Sequence, residues 1–394
     1  MVKFILLALL LIFPLGQLSR LPFSGGEVRI YFHDLLVLVL ILFFLGKKLI
    51  KKEKIKLPRF GQEIMCFGLV ALFSLLVSFS TRKISEIKIG FLYLLRWASY
   101  PIVYLALSDV LNKDKTNKLK NRLNNLLILI GTTSAILGLL QYIFFPDIRS
   151  LMVLGWDRHY YRVVGTLLDP AFSAMIYVLS LILVIKKLWL DNVTKGKLIY
   201  FTSFILLYLS LALSYSRSAY FSFLLSITIF AFFKKSAKFF LSFLFLGIIT
   251  IFLLPRPGGE GVRLERQSTI KARIINWSQT IQISAKYPLF GTGFNNYRYA
   301  QKEFGFLNKQ NWRETNAGAG ADSSLLFVLA TTGIVGLTIY LNFLMKLFKY
   351  SKKNSLILLV SLVSVLANSF FNNTLFYPWV MIWLWILLAL EQKG

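Results

Sequence analysis

Residues 218–254 read SAYFSFLLSITIFAFFKKSAKFFLSFLFLGIITIFLL, two apolar runs separated only by a short Lys-rich turn. Runs of about 17–25 apolar residues are long enough to cross the hydrocarbon core of a membrane as helices. The stretch therefore predicts two membrane spans, at 218–233 and 237–254. Similar runs recur through most of the 394 residues, so the chain is predicted to be an all-α, polytopic membrane protein.

Ten further apolar runs bring the prediction to about twelve spans. They lie near 4–19, 34–46, 64–79, 89–108, 123–145, 171–189, 198–215, 322–345, 356–371 and 375–390. We expect residues 1–394 to form one transmembrane domain, because helices in lipid pack on one another rather than around a soluble core. The run after Lys3 has the start of a signal peptide, but no small-residue cleavage site follows, and we interpret it as the first span.

The composition argues against several functional classes. The chain is 56% hydrophobic, with a mean hydropathy of +0.65 and a formal net charge of +28. In a soluble protein this charge would suggest nucleic acid, but in a membrane protein positive loops set topology and face anionic lipid, so no nucleic-acid partner is expected. The single cysteine, Cys66, excludes a disulfide or zinc framework. With only two histidines in addition, we predict no metal site and no cofactor.

The loops between the predicted spans alternate in their basic residues. One set is rich in Lys and contains only two Arg, at Arg59 and Arg122. It consists of 46–63, 108–122, 186–197, 234–238 and 346–355. Because cytoplasmic loops are enriched in basic residues, this set and both termini are predicted to be cytoplasmic. The opposite loops carry nearly all the other arginines, and Arg grips phosphate in bidentate geometry, so the sequence predicts an outer-face site for a phosphorylated ligand.

The longest polar segment is 255–321, between the ninth and tenth predicted spans. We predict that it forms a large loop on the outer face, where a water-facing active site would lie. The segment contains one apolar stripe at helical spacing, made by Ile270, Ile274, Trp277 and Ile281. Arg266 and Arg273 fall near the edge of this stripe. Such a helix lies on the membrane surface or packs on its own bundle, and either position brings Arg273 near lipid phosphates.

A glycine-rich turn, PLFGTGF, follows at 288–294. It is weak as a nucleotide-binding loop, because it lacks the helix and Lys of a P-loop and the strand context of a dinucleotide site.

The stretch RHYYRVVGTLLDPAFS, at 158–173, precedes the sixth predicted span. Asp169 and Pro170 are typical of a helix cap and first turn. Arg158 and Arg162 either project into an outer cavity or belong to a loop that simply begins this helix.

Two further stretches place charged residues at predicted span ends. SYSRS, at 214–218, puts Arg217 either at the mouth of the bundle as an anion-binding group or at the headgroups by snorkelling. ADSSLLFVLATTGIVGL, at 321–337, begins with Asp322, which is either a helix N-cap or a carboxylate base. Arg96, inside the fourth span, either pairs with a carboxylate or reaches an interface.

These segments occur together in an order that resembles a known family. They are RVVGTLLDPAFSA (162–174), SYSRSAY (214–220), RIINWSQTIQISAKYPLFGTGFNNY (273–297) and ADSSLLFVLATTGIVGL (321–337). The set resembles the O-antigen ligase and O-antigen polymerase superfamily of bacterial membrane glycosyltransferases. Motifs of that family span roughly residues 160–340 of this chain.

The resemblance implies a multi-pass enzyme of the bacterial inner membrane that works in lipopolysaccharide biosynthesis. Family members move a glycan from undecaprenyl pyrophosphate to an acceptor hydroxyl on the outer face, without a metal or a nucleotide sugar. The acceptor is the lipid A core in ligases and another lipid-linked repeat in polymerases. Membrane lipids are the other expected partners. Direct displacement of the pyrophosphate by the acceptor would invert the anomeric carbon.

The resemblance also assigns roles to individual residues. Arg162, Arg217 and Arg273 would bind the pyrophosphate, and Arg217 would act in catalysis. The family's proposed basic histidine falls at Asp322, a departure that makes the catalytic base a carboxylate here. Arg158, Arg266 and Arg298 are secondary candidates for the same anion site.

We predict a ligase and keep three alternatives. A polymerase differs from a ligase only in its acceptor, which the sequence does not reveal. A flippase or exporter of polysaccharide would need charged residues along a path at mid-membrane depth rather than a site on one side. A non-catalytic scaffold would leave the outer arginines scattered.

Overall fold

The computed structural model describes residues 2–21, 28–114, 116, 118–191, 193–307, 312–313, 318 and 320–392. In this part of the chain every regular element is a helix, and bridges between extended segments are limited to Arg20–Tyr31 and Asp147–Tyr160. The predicted all-α class is confirmed.

Fourteen α-helices lie within the described residues. They are α1 (Val2–Ile12), α2 (Phe32–Ile50), α3 (Gly61–Val77), α4 (Ile84–Asn112), α5 (Lys118–Phe144), α6 (Pro170–Ile185), α7 (Lys197–Ala212), α8 (Arg217–Lys234), α9 (Ala237–Leu253), α10 (Ser268–Lys286), α11 (Tyr297–Glu303), α12 (Ser324–Asn354), α13 (Leu356–Ser369) and α14 (Pro378–Glu391).

A helix lies over each of the twelve predicted spans, but the helices differ in length. Six stretches, starting with α1, α3, α4, α5, α6 and α12, are long and apolar enough to cross a membrane. Helices α7, α9, α13 and α14 are shorter apolar helices, and α2 and α8 have charged residues near their ends. A membrane protein with several spans is therefore supported, whereas the count of twelve stays a prediction.

Helix α6 is the most enclosed span of the bundle, with 78% of its apolar window buried. It contacts α5, α7, α8 and α13. Asp169 caps it as predicted: its carboxylate accepts hydrogen bonds from the backbone N–H groups of Ala171 and Phe172, and Pro170 occupies the first turn. The close approach of α5 depends on Gly131, where a Cβ atom would stand 1.8 Å from Ser180 Oγ.

The polar segment 255–321 contains α10 and α11. Helix α10 packs on α12 through a face that buries Thr280, Ile283 and Ser284. The predicted apolar stripe on α10 divides: Trp277 reaches the bundle, whereas Ile270, Ile274 and Ile281 are exposed by 46%, 56% and 55%. These three isoleucines are therefore not covered by the bundle. The prediction that the segment lies outside the membrane is not tested by this geometry.

The glycine-rich turn at 288–294 packs into a break in α12 at Gly333, whose φ is +67°. The backbone N–H of Thr292 donates to the Ala330 carbonyl at 2.9 Å, and the N–H of Ile334 donates to the Pro288 carbonyl at 2.9 Å. The turn thus supplies hydrogen bonds that the interrupted helix lacks. Gly291 of this turn lies against the backbone of Thr331 and Thr332 in α12. This packing role agrees with the sequence, in which the turn is weak as a nucleotide-binding loop.

We expect Gly333→Ala to destabilise the protein. A Cβ atom there would stand 2.2 Å from the Leu289 carbonyl oxygen. The positive φ at this position would cost an alanine about 1–3 kcal/mol more. Thermal unfolding in detergent should show a clear fall in Tm. The matched control is Gly247→Ala on α9, where a Cβ would meet nothing within 4 Å. Equal Tm values for the two variants would contradict this packing role.

Candidate active site

A cavity of about 470 Å³ opens at one end of the bundle. The first residues of α6, α8 and α14 line it, together with residues just before α2 and α12. Helix N-termini carry unpaired N–H groups and a partial positive charge, so their convergence favours an anion. At their opposite ends, α2, α6, α8 and α12 lead to Lys-rich loops and α14 leads to the C-terminus.

Three arginines of the cavity are held by backbone carbonyls of two short segments. The turn between α7 and α8, the SYSRS stretch, directs the carbonyls of Ser214 and Tyr215 inward. Arg162 Nε donates to the Ser214 carbonyl at 2.9 Å, and Arg266 Nη2 donates to the Tyr215 carbonyl at 3.1 Å. Arg217 begins α8, and its Nη1 donates to the carbonyls of Leu264 and Arg266 at 3.1 and 3.0 Å. The carbonyls orient these guanidinium groups but leave their net charge in place.

The fourth arginine, Arg273, projects from α10. Its Nη2 donates to Asn372 Oδ1 at 3.4 Å, and its guanidinium lies 5.6 Å from the centre of the Phe371 ring. Among the described residues, no ion pair is formed by Arg162, Arg217, Arg266 or Arg273. In addition, Arg217 Nη2 is buried without a hydrogen-bond partner there. Four positive groups therefore face one cavity without a carboxylate bound to any of them.

Burial and the charges of neighbouring arginines lower the pKa values of Arg162, Arg266 and Arg273. Burial, and next the charge of Arg266, lowers the pKa of Arg162 to about 9. Burial is also the main cause that lowers the pKa of Arg266 and of Arg273, and Arg217 adds to both shifts. Losing water without gaining an anion disfavours the charged form, and a bound phosphate would reverse this effect.

Asp322 lines the same cavity and is held by its backbone to α10. Its N–H donates to Asn276 Oδ1 at 2.8 Å, and its carbonyl accepts a hydrogen bond from Trp277 Nε1 at 3.1 Å. It is not the cap of α12, because the N-cap residue is Ser323, which makes no side-chain capping bond. The carboxylate of Asp322 is thus left for another role.

Burial raises the pKa of Asp322 to about 6, and the charge of Arg273 opposes this shift. Two other carboxylates, Asp157 and Asp169, add smaller upward contributions. Asp322 is therefore a better proton acceptor than an exposed aspartate, while it remains largely ionised at neutral pH.

The remaining predicted arginines do not all line the cavity. Arg298 lines the cavity, but Arg158 is exposed and lies in a different depression with Asp147 and Arg149. We therefore leave Arg158 out of the site. Arg96 pairs with a carboxylate, one of its two predicted roles: its Nη2 lies 2.8 Å from Asp34 Oδ2, and it also lines the cavity.

Several cavity residues escaped the sequence analysis. Asn372 joins α8 to α10, since it donates to Ser218 Oγ at 3.0 Å and accepts from Arg273. His159 is buried, and its pKa falls to about 3, first because of burial and then because of the charges of Arg162 and Arg266. In the sequence, the one indication that His159 lines the cavity is its position three residues before Arg162. Asn372 gave no signal, because its position depends on helix packing.

The fold and the cavity define a helical membrane protein with a cluster of arginines in one cavity at one end of its bundle. Residues 201–341 match the family model described as O-antigen ligase, which confirms the resemblance predicted from the sequence. The match supports a bacterial membrane glycosyltransferase of the ligase and polymerase type, a family whose members act on lipid-linked glycans. It covers about a third of the chain and includes Arg217, Arg273 and Asp322 but not Arg162. No curated protein matches the chain significantly.

We expect inorganic pyrophosphate to bind the purified protein, and Arg217→Gln to weaken this binding about tenfold, the loss expected when one charge-assisted contact worth about 1.4 kcal/mol is removed. Isothermal titration calorimetry in detergent measures both affinities. Arg149→Gln is the matched control, since Arg149 is exposed and paired with Asp147 outside the cavity. Equal affinities for wild type and Arg217→Gln would contradict the anion site.

Proposed function

We propose that this protein is an O-antigen ligase that transfers a glycan from a polyprenyl-pyrophosphate carrier to an acceptor hydroxyl, such as one on the lipid A core. The observation that carries the proposal is the convergence of Arg162, Arg217, Arg266 and Arg273, which form no described ion pair, beside Asp322 in one cavity. Scattered arginines would have favoured a scaffold. A site at one end of the bundle also fits an enzyme better than an exporter.

In the proposed reaction, the arginines bind the donor through its pyrophosphate. As the bond between the sugar and the phosphate breaks, negative charge grows on the leaving pyrophosphate, and fixed guanidinium groups stabilise it. The backbone carbonyls that hold Arg162, Arg217 and Arg266 fix their orientation before substrate arrives, so little reorganisation is needed. Arg217 Nη2, which has no described partner, offers one further donor to the phosphate oxygens.

Asp322 would act as the general base. It accepts the proton of the acceptor hydroxyl while that oxygen forms its bond to the anomeric carbon. A single displacement of this kind inverts the configuration at that carbon. The clamp on the Asp322 backbone by Asn276 and Trp277 keeps the carboxylate beside Arg273.

We place this chemistry on the outer face of the inner membrane, with both chain termini cytoplasmic. The support is the arrangement of charge: the helices that begin at the cavity lead to the Lys-rich loops or to the C-terminus, and basic loops favour the cytoplasm. The exposed isoleucines of α10 would then rest on the membrane surface and keep Arg273 at the level of lipid phosphates.

The transfer itself is tested by deleting the gene in its own bacterium and restoring it on a plasmid. Wild type and the control Arg149→Gln should restore glycan attached to the lipid A core, whereas Arg217→Gln and Arg273→Gln should each lower attachment at least tenfold at equal membrane levels. Restored attachment with full activity of both cavity variants would contradict the phosphate-binding role. Glycan that is lengthened on its lipid carrier, rather than attached to the core, would indicate the polymerase.

A second prediction concerns pH. Because the base must be ionised and the pKa of Asp322 is about 6, transfer should fall as the pH drops below about 6 and should level off above it. Asp322→Asn should abolish most transfer without loss of folded protein, because Asp322 caps no helix.

Asp322→His should retain transfer with a comparable acidic limb, since an unperturbed imidazole has a pKa of about 6.5. The pH profile of an in vitro assay with extracted lipid-linked donor measures all three proteins. Asp147→Asn is the control for loss of an outer-loop carboxylate. An unchanged profile in Asp322→Asn would rule out the base role.

A further inference from the structure

Three side chains next to the arginines form a compact group of metal-ligand type. Asp157, His159 and Asp169 each offer one ligand atom, and these atoms all lie within 4.8 Å of one another. All three residues line the 470 Å³ cavity. From the sequence we expected no metal site, because the chain has only one cysteine and two histidines.

His159 is the informative member of the group. Its side chain is 8% exposed, and within the described residues neither Nδ1 nor Nε2 has a hydrogen-bond partner. A buried imidazole without any partner is rare, because each unsatisfied polar atom costs free energy. The ring lies against two carboxylates at the wall of an open cavity, so a ligand could satisfy it.

Asp169 can accept a further ligand, and its charge lies close to that of Asp157. Asp169 Oδ1 accepts both backbone hydrogen bonds of the α6 cap, and these bonds leave Oδ2 unused. The charge of Asp157 opposes the charge of Asp169 at short range. Arg162 offsets only part of this repulsion, since its donors point at the carbonyls of Ser214 and Tyr215. A cation between the carboxylates would remove the repulsion.

The backbone holds the three ligands in place before any ligand binds. Asp157 and His159 are two residues apart in a segment without regular structure, and both line the cavity. The His159 carbonyl accepts from the Ile148 N–H at 3.2 Å, and the Tyr161 N–H donates to the Pro146 carbonyl at 2.9 Å, which fixes this segment to the end of α5. Asp169 is fixed by its capping bonds.

From this geometry we infer that Asp157, His159 and Asp169 bind one divalent transition-metal cation of the Mn²⁺ or Zn²⁺ type. One imidazole nitrogen with two carboxylate oxygens suits these ions, whereas Mg²⁺ and Ca²⁺ favour oxygen ligands alone. The three residues line the cavity, so water would fill the remaining coordination positions. The inference does not rest on the proposed function, because the site is complete without substrate.

The test uses Mn²⁺ and the full-length protein in detergent at neutral pH, with no glycan substrate. Free Mn²⁺ gives a six-line electron paramagnetic resonance signal that binding removes, so the signal reports free ion directly. We expect saturable binding of one Mn²⁺ per chain. His159→Gln and Asp157→Asn should each raise the Kd at least tenfold, and Zn²⁺ should displace Mn²⁺.

The matched control is Asp147→Asn, which removes a carboxylate of the same loop outside this group and should leave the Kd unchanged. Size-exclusion chromatography shows whether each variant folds. If His159→Gln does not, Asp157→Asn decides, since Asp157 is exposed and its replacement leaves the buried ring in place. No saturable Mn²⁺ binding at millimolar concentration, or an unchanged Kd in Asp157→Asn, would overturn the inference. Either result would leave the pyrophosphate and glycan-transfer experiments unaffected.

Discussion

The site depends on positive charge that the protein orients without neutralising. Carbonyl groups after the C-terminal end of α7 hold Arg162 and Arg266, and loop carbonyls hold Arg217. Carbonyl dipoles at a helix end attract guanidinium groups, yet they carry no net charge to cancel. Carboxylate partners would have cancelled this charge and left less attraction for an anionic ligand. The cavity therefore has a positive potential, which would attract the anionic substrate that we propose.

Helix direction reinforces this potential. Because α2, α6, α8, α12 and α14 all begin at the cavity, their N-terminal dipoles add to the arginine charge. The same alternation takes the Lys-rich loops to the opposite end of the bundle. Each of these helices therefore runs from the cavity toward the opposite end of the bundle, so the arginine cluster and the Lys-rich loops lie at different ends. The proposal gives the two kinds of basic residue different purposes, because Lys in short loops favours the cytoplasmic side and Arg offers fixed bidentate geometry to phosphate.

The polar segment is joined firmly to the bundle. Its glycine-rich turn fills the break in α12 at Gly333, and α10 holds the Asp322 backbone through Asn276 and Trp277. Arg273 and Asp322 therefore keep their separation although they belong to different elements. Such rigidity suits a site that must hold a carboxylate close to guanidinium groups without letting them form a closed ion pair. Asp157, His159 and Asp169 line the same cavity.

The sequence alone determined the helical membrane class, the cap at Asp169, the helix of α10, and the arginines at 162, 217, 266 and 273, because hydropathy, capping and charge are local properties. Packing decided the rest. It showed that Asp322 is not a cap, removed Arg158 from the site, paired Arg96 with Asp34, and brought Asn372 and His159 to the cavity. These outcomes depend on which helices become neighbours, and contacts between residues far apart in the chain leave no periodic or compositional trace in the sequence.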